Sequence, residues 1–201
     1  MGKNIPDEDF FSDPFLQFAK WYGEAEKLKV KEPNAMAFAT VDSYGHPSLR
    51  MVLLKGFNSK GFVFFTNYES RKGKQLLLNP YAALTFYWKE QERQIRLEGK
   101  VKKISARESD HYFQTRSLES RINACISPQS CLIPDRTFLE VLGESLIWDL
   151  NGKSPSRPDT WGGYCLFPHR IEFWQGRPHR LHDRICYTLK QRTWIHVRLA
   201  P

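Results

Sequence analysis

The sequence is poor in cysteine. Cys125, Cys131, Cys165 and Cys186 are all it has; none sits in a CxxC pair, and no histidine joins them at zinc-finger spacing. A disulfide scaffold and a structural zinc site are therefore not expected, whereas four reduced thiols of a cytoplasmic protein are. Long apolar runs are also missing, since none approaches the roughly 18 residues of a membrane span. Residues 1–9 carry no apolar stretch of the kind a secretory signal needs, and Pro6 stands where a myristoylation signal requires Ser or Thr. The chain contains no G-x-S-x-G elbow, no Walker A loop, no H-E-x-x-H pair and no G-x-G-x-x-G turn. Those absences remove the commonest hydrolase, NTPase, zinc-protease and dinucleotide-binding readings. No metal is expected, and there are no internal repeats.

What is present is a globular composition with a surplus of cations. Lys and Arg number 30 against 22 Asp and Glu, a net charge of +8 that attracts anions without naming them. The basic residues are spread over separate segments and do not form a stripe interleaved with exposed aromatics. Neither nucleic acid nor a membrane is therefore expected as a partner. Hydrophobic residues make up 41% of the 201, enough for one well-filled core. The polar, acidic start reads as a flexible tail over 1–12, followed by a single domain over 13–201.

Periodicity orders the elements. Asp13-Pro14 opens a helix, with Phe15, Phe18, Ala19, Tyr22 and Ala25 on one apolar face. Strands are expected over 35–41, 48–54, 62–66, 81–88 and 94–103, with a short helix over 70–78. A helical excursion follows at about 105–150: a capping box at Ser105 to Glu108, a second helix over 118–126, and a third from Pro134. Strands return over 163–167, 171–175, 184–189 and 194–199. The result is an α+β fold, mainly antiparallel, with a small barrel as its centre.

Five segments could carry chemistry. Arg50-Met51-Val52-Leu53-Leu54-Lys55 reads as a strand buried on both sides with a cation at each end, or as a solvated strand end. Thr66 to Lys74 runs from strand into helix with Arg71 and Lys72 at the helix start, where cations are unfavourable unless an anion is bound. This fits a phosphate site or a plain basic surface. Tyr112, Arg116 and Ser120 are spaced i, i+4, i+8, and on one unbroken helix would converge as a phosphate clamp or a surface trio. Gln129 and Ser130 lie in a polar break between helices. Finally, Arg180, His182 and Arg184 alternate on an expected strand close to Trp174, a face that suits a planar, anionic ligand.

Together these segments resemble the pyridoxine (pyridoxamine) 5′-phosphate oxidase family, from about Asp13 to Pro201. The motifs occur in order: Arg50 to Lys55, Phe65-Thr-Asn67 with Ser70-Arg-Lys72, Glu92-Arg-Gln94, Tyr112-Phe-Gln-Thr-Arg116, Gln129-Ser130, and Glu172-Phe-Trp-Gln-Gly176 with His179-Arg-Leu-His-Asp-Arg184. The resemblance implies an FMN-binding split β-barrel with flanking helices, and a homodimer with FMN at the interface. By motif position, Arg50, Met51, Val52, Leu53, Leu54, Lys55, Phe65, Thr66, Arg71, Lys72, Gln94, Gln129, Ser130, Trp174 and Arg184 would hold FMN. Lys55, Tyr112, Arg116 and Ser120 would hold a substrate phosphate. Arg180, Leu181 and His182 would meet the substrate ring, with Arg180 and His182 as the catalytic pair. The implied reaction is oxidation of pyridoxine or pyridoxamine 5′-phosphate to pyridoxal 5′-phosphate, with O₂ as acceptor and hydrogen peroxide as product. A non-catalytic flavin- or haem-binding split barrel is the alternative. This chain departs from the family pattern at Arg121 and Asn123, where glutamine and glycine are usual, and at Phe65, where tyrosine is common. Arg121 is expected to add a charge near the substrate-phosphate site.

Overall fold

The computed structural model describes residues 10–201. Positions 1–9 of the expected tail lie outside the described residues. Its inner end is not free: Phe10 is buried against Trp21 and Phe173, and the Tyr187 hydroxyl donates to the Phe11 carbonyl at 2.6 Å. The packed body thus includes Phe10 and Phe11, ahead of Asp13.

Helix α1 (Pro14–Lys27) starts as its sequence dictates, the Asp13 side chain accepting from the Phe15 N–H. It buries Phe15, Phe18, Trp21 and Ala25, whereas Ala19 of the expected face is exposed and Trp21 takes its place. Nine strands follow among the described residues: β1 (Ala35–Val41), β2 (Pro47–Leu53), β3 (Gly56–Asn58), β4 (Gly61–Asn67), β5 (Tyr81–Trp88), β6 (Arg93–Lys103), β7 (Trp161–Gln175), β8 (Asp183–Lys190) and β9 (Thr193–Arg198). Helix α2 (Arg71–Leu78) lies between β4 and β5, and α3 (Ala106–Gln114), α4 (Leu118–Ile126) and α5 (Thr137–Leu150) form the excursion.

Every strand pairing is antiparallel, in the order β2-β1-β5-β6-β7-β4-β3, with β8 added to β7 and β9 to β8. The ends of that path approach each other, because the chain leaving β2 hydrogen-bonds β4 from Lys55 N–H to the Val63 carbonyl at 2.8 Å. The sheet therefore curls into a split barrel. Its interior is aromatic: Phe18, Phe38, Phe62, Phe64, Phe86 and Phe173 are fully buried, with Phe18 edge-on to Phe57 and Phe62 at 4.7 and 4.8 Å.

Several expectations need correction. The two strands expected over 163–167 and 171–175 are one long β7, carried past Pro168 by a register shift opposite Glu98 and Gly99. A side chain at Gly99 would stand 2.3 Å from the Phe167 carbonyl oxygen, so that bulge admits only glycine. Helix α5 begins at Thr137 rather than Pro134 and runs to Leu150. Strand β2 is not buried on both sides, since Leu49 and Met51 are exposed on one face. Strand β8 begins only at Asp183, and a 3₁₀ turn spans Pro178–Arg180, so Arg180, His182 and Arg184 do not share one strand face.

Candidate active site

Two cavities gather the predicted residues. The larger, about 480 Å³, opens between the end of β2, β4 and the start of α4. Met51, Val52, Leu53 and Lys55 form one wall, Phe65, Thr66, Lys72 and Gln129 the floor, and Tyr112, Arg116, Ser117 and Ser120 the far side with Trp161. The α3–α4 helix does break: α3 ends at Gln114 and Ser117 caps α4, accepting from the Ser120 N–H at 3.3 Å. Tyr112, Arg116 and Ser120 converge nonetheless, because the turn between the helices folds around the cavity.

An aromatic stack supports that side. Phe65 lies on Tyr112 with centroids 3.8 Å apart, and Trp161 is parallel to both. The Arg116 guanidinium sits over the Trp161 ring at 4.6 Å. Its Nη1 is buried without a hydrogen-bond partner, and burial pushes its pKa down. A buried donor of this kind is costly unless something accepts from it. Lys55, Arg116 and the hydroxyls of Tyr112, Ser117 and Ser120 together suit a dianionic oxyanion.

The floor holds a second cation group. Lys72, at the start of α2, donates to Thr66 Oγ1 at 2.9 Å, Ser70 Oγ at 3.1 Å and Gln129 Oε1 at 2.7 Å. Burial, and then the charge of Arg50, lower its pKa to about 8. Arg50 is lowered in turn by burial and by Arg71. No carboxylate pairs with Arg50, Arg71 or Lys72 among the described residues. Arg71 and Lys72 at the start of α2, with Arg50 of β2 beside them and no acid paired to any of the three, suit a phosphate such as that of FMN.

The smaller cavity, about 220 Å³, lies at the other end of β7. Gln94, Arg96, Glu172, Trp174, Arg184 and Pro201 line it. Glu172 is almost fully buried and is met by Arg96, by Arg170 at 3.8 Å and by Arg184 at 2.8 and 3.2 Å. Burial alone would raise its carboxyl, but hydrogen bonds from Arg184 and Arg96 outweigh that and hold it below the usual range. Beside this cavity, His182 rests on Trp174 at 4.7 Å and accepts the Arg177 backbone N–H on Nδ1 at 3.1 Å. His179 and Arg180 both have positive φ, at 58° and 61°, which leaves Arg180 and Leu181 projecting outward. Asp183 secures the loop by accepting from Arg177 at 2.7 Å and Arg198 at 2.6 Å.

Most predicted residues therefore fall into one cavity or beside the other. Arg50 and Arg71 stand behind Lys72 and off the cavity wall, Leu54 turns into the core, and Ser130 is exposed with φ of 72° just past Gln129. Arg121 is not at the phosphate clamp: it donates to Gln114 at 2.9 Å and to Ser154. Asn123 lines a separate groove between α4 and α5. The sequence reading missed Trp161, Ser117 and Arg96. Trp161 was hidden by an expected strand start at Gly163; the Gly162-Gly163 pair beside it was the available signal, for a side chain at 162 would stand 2.1 Å from the Tyr68 hydroxyl.

Comparison with known proteins gives the same picture. The family model described as pyridoxamine 5′-phosphate oxidase matches residues 23–146, and that of the pyridoxine 5′-phosphate oxidase C-terminal dimerisation region matches 161–201, which implies a homodimer. A pyridoxine/pyridoxamine 5′-phosphate oxidase of Pseudomonas paraeruginosa is 54% identical over 193 residues, 94% of this chain and 89% of the relative. One from Cupriavidus taiwanensis is 54% identical over 198 residues, 98% and 93% of the two chains. Among solved structures, PhzG from Burkholderia lata in complex with tetrahydrophenazine-1-carboxylic acid superposes with TM-score 0.93 at 31% identity, covering 99% of this chain and 98% of that one. An FMN-binding protein of Nostoc punctiforme, TM-score 0.75 at 18% identity over 94% and 97%, shares the fold. By sequence and by fold, the chain belongs to the pyridoxamine 5′-phosphate oxidase family.

Proposed function

We propose that the protein is an FMN-dependent oxidase that converts pyridoxine 5′-phosphate and pyridoxamine 5′-phosphate to pyridoxal 5′-phosphate. One observation supports this reading: two separate sets of cations serve one cavity, Lys72 at its lining with Arg50 and Arg71 behind it, and Lys55 with Arg116 opposite. Arg50, Arg71 and Lys72 suit the phosphate of FMN, and Lys55 and Arg116 with three hydroxyls suit that of the substrate. Held by these residues, FMN would supply two-electron redox chemistry between the substrate carbon and O₂, with hydrogen peroxide as the product.

The protein's own residues bind and orient. The substrate-phosphate set is a remote handle whose binding energy holds the reacting carbon in place. Lys72, Thr66 and Gln129 in the larger cavity would hold the phosphate of FMN, and Gln94, Trp174 and Arg184 of the smaller cavity, supplied by the partner protomer, would hold its ring system. Arg180 and His182 would then face the substrate ring, with the His182 ring oriented by the Arg177 N–H donated to its Nδ1. A cytoplasmic setting accords with four free cysteines.

Peroxide release by the FMN-loaded protein tests this directly. Turnover is expected with both phosphate esters and not with unphosphorylated pyridoxine. The likeness to PhzG favours a second reading, oxidation of a polycyclic carboxylic acid. Turnover of tetrahydrophenazine-1-carboxylic acid with none of either phosphate ester would establish that alternative.

A further inference from the structure

Arg50 is held from behind by a device that carries no charge. Its Nη1 donates to Thr40 Oγ1 at 2.6 Å and to the Phe38 carbonyl at 3.1 Å, and its Nη2 donates to Ser48 Oγ at 2.6 Å. Each hydroxyl has one proton to give, and both protons go to the same atom. Oε1 of Gln75 accepts from Thr40 at 2.5 Å and from Ser48 at 2.7 Å. Because a guanidinium only donates, the hydroxyls offer their oxygens to Arg50 and direct their protons to the Gln75 oxygen. Gln75 and Thr40 are both buried, and Gln75 lies one turn along α2 from Arg71 and Lys72.

We infer that Gln75 is a positioning residue for the cofactor phosphate, fixing the Arg50 guanidinium through Thr40 and Ser48 while leaving its charge uncompensated. The inference rests on the reading of Arg50, Arg71 and Lys72 as the site of the FMN phosphate. Its specific content is that residue 75 must be an amide. A carboxylate could accept the same two hydroxyl protons, but it would bring a negative charge within two hydrogen bonds of Arg50. That charge would attract Arg50 and repel an incoming phosphate. A residue that merely filled space would show no such sensitivity to charge.

Riboflavin, which has the flavin ring but no phosphate, separates the two cases. Flavin-free wild type, Gln75→Glu and Gln75→Met are titrated with FMN and with riboflavin, following flavin fluorescence, and their melting temperatures are compared. Gln75→Glu is expected to weaken FMN binding by roughly tenfold or more while riboflavin changes by less than about twofold. Gln75→Met, which loses the acceptor without adding charge, is expected to weaken FMN by roughly threefold to tenfold, again sparing riboflavin. FMN affinity in Gln75→Glu within about twofold of wild type overturns the inference, as do equal losses for both flavins. If Gln75→Glu does not fold, the FMN-to-riboflavin comparison in Gln75→Met decides. Wild type that binds FMN no more tightly than riboflavin would instead sink the phosphate-site reading itself.

Discussion

Arg184 grips Glu172 with two nitrogens, Nε at 2.8 Å and Nη2 at 3.2 Å, and spends the remaining Nη1 on the Ala200 carbonyl at 2.8 Å. The guanidinium is thus oriented by the sheet beneath it and by the chain end beside it. Its outward edge is left to face the smaller cavity.

Glu172→Gln should lower stability at neutral pH by about 1–3 kcal/mol, since Arg96 and Arg184 lose a charged acceptor but keep partial contact with solvent. The folded carboxyl titrates below its ordinary 4.5, so its contribution is complete above that value and vanishes as pH falls through the lower folded one. Denaturant unfolding across pH 3–7 should show wild type and variant converging at the acid end.

Lys72→Met should stabilise the flavin-free protein by roughly 1 kcal/mol at pH 7 and weaken FMN binding at least about tenfold. The ammonium titrates near 8 in the folded chain, against an ordinary 10.5, so the cost of burying its charge is full below 8 and relieved as pH climbs towards 10.5. A bound phosphate favours the charged form. FMN affinity in wild type should therefore decline above pH 8, and calorimetry should find that slope absent from the variant.

Arg116→Lys keeps the charge but loses the flat contact with Trp161 and the forked donor set. The KM for pyridoxine 5′-phosphate should rise about tenfold or more, with kcat less affected and FMN content unchanged. Steady-state kinetics on the FMN-saturated variant check this. An unaltered KM would remove Arg116 from the substrate-phosphate site.

Arg180→Ala should cut turnover by at least about tenfold while the protein still purifies yellow, because Arg180 touches neither the cation cluster nor Glu172. Absorbance of bound flavin and peroxide release, measured on one preparation, distinguish the two effects.

Local signals in the sequence located most elements. Asp13 with Pro14, and Ser105 with Glu108, start helices where capping chemistry requires. Arg71 and Lys72 fall at the start of α2 as the sequence predicts, a position that fits either a phosphate site or a plain basic surface. What escaped depended on distant partners. Strand β7 survives Pro168 only because the bulge at Glu98 and Gly99 lets β6 follow it, which no local pattern announces. The alternation of Arg180, His182 and Arg184 looked like a strand, yet the hydrogen bond from Arg177 to His182 and the clamp on Asp183 favour a loop with two residues at positive φ. Phe10 reads as part of a polar tail until Trp21 and Phe173 are seen to enclose it. The route from Gln75 to Arg50 crosses three elements and leaves no trace in spacing.

The length of β7 has one more consequence. Trp161 in the larger cavity and Trp174 in the smaller stand near opposite ends of a single strand, roughly 40 Å of chain apart, and the two cavities share no lining residue. On the proposed reading, each complete centre in a homodimer would then draw its two walls from different chains. Two inactive variants with lesions at opposite ends, Arg116→Ala and Arg184→Ala, should therefore rescue each other when their chains are unfolded together and reassembled. Half of the dimers would be mixed, and each would hold one undamaged centre, restoring roughly a quarter of the wild-type sites. Genetic complementation between two dead alleles is thus written into the length of one strand.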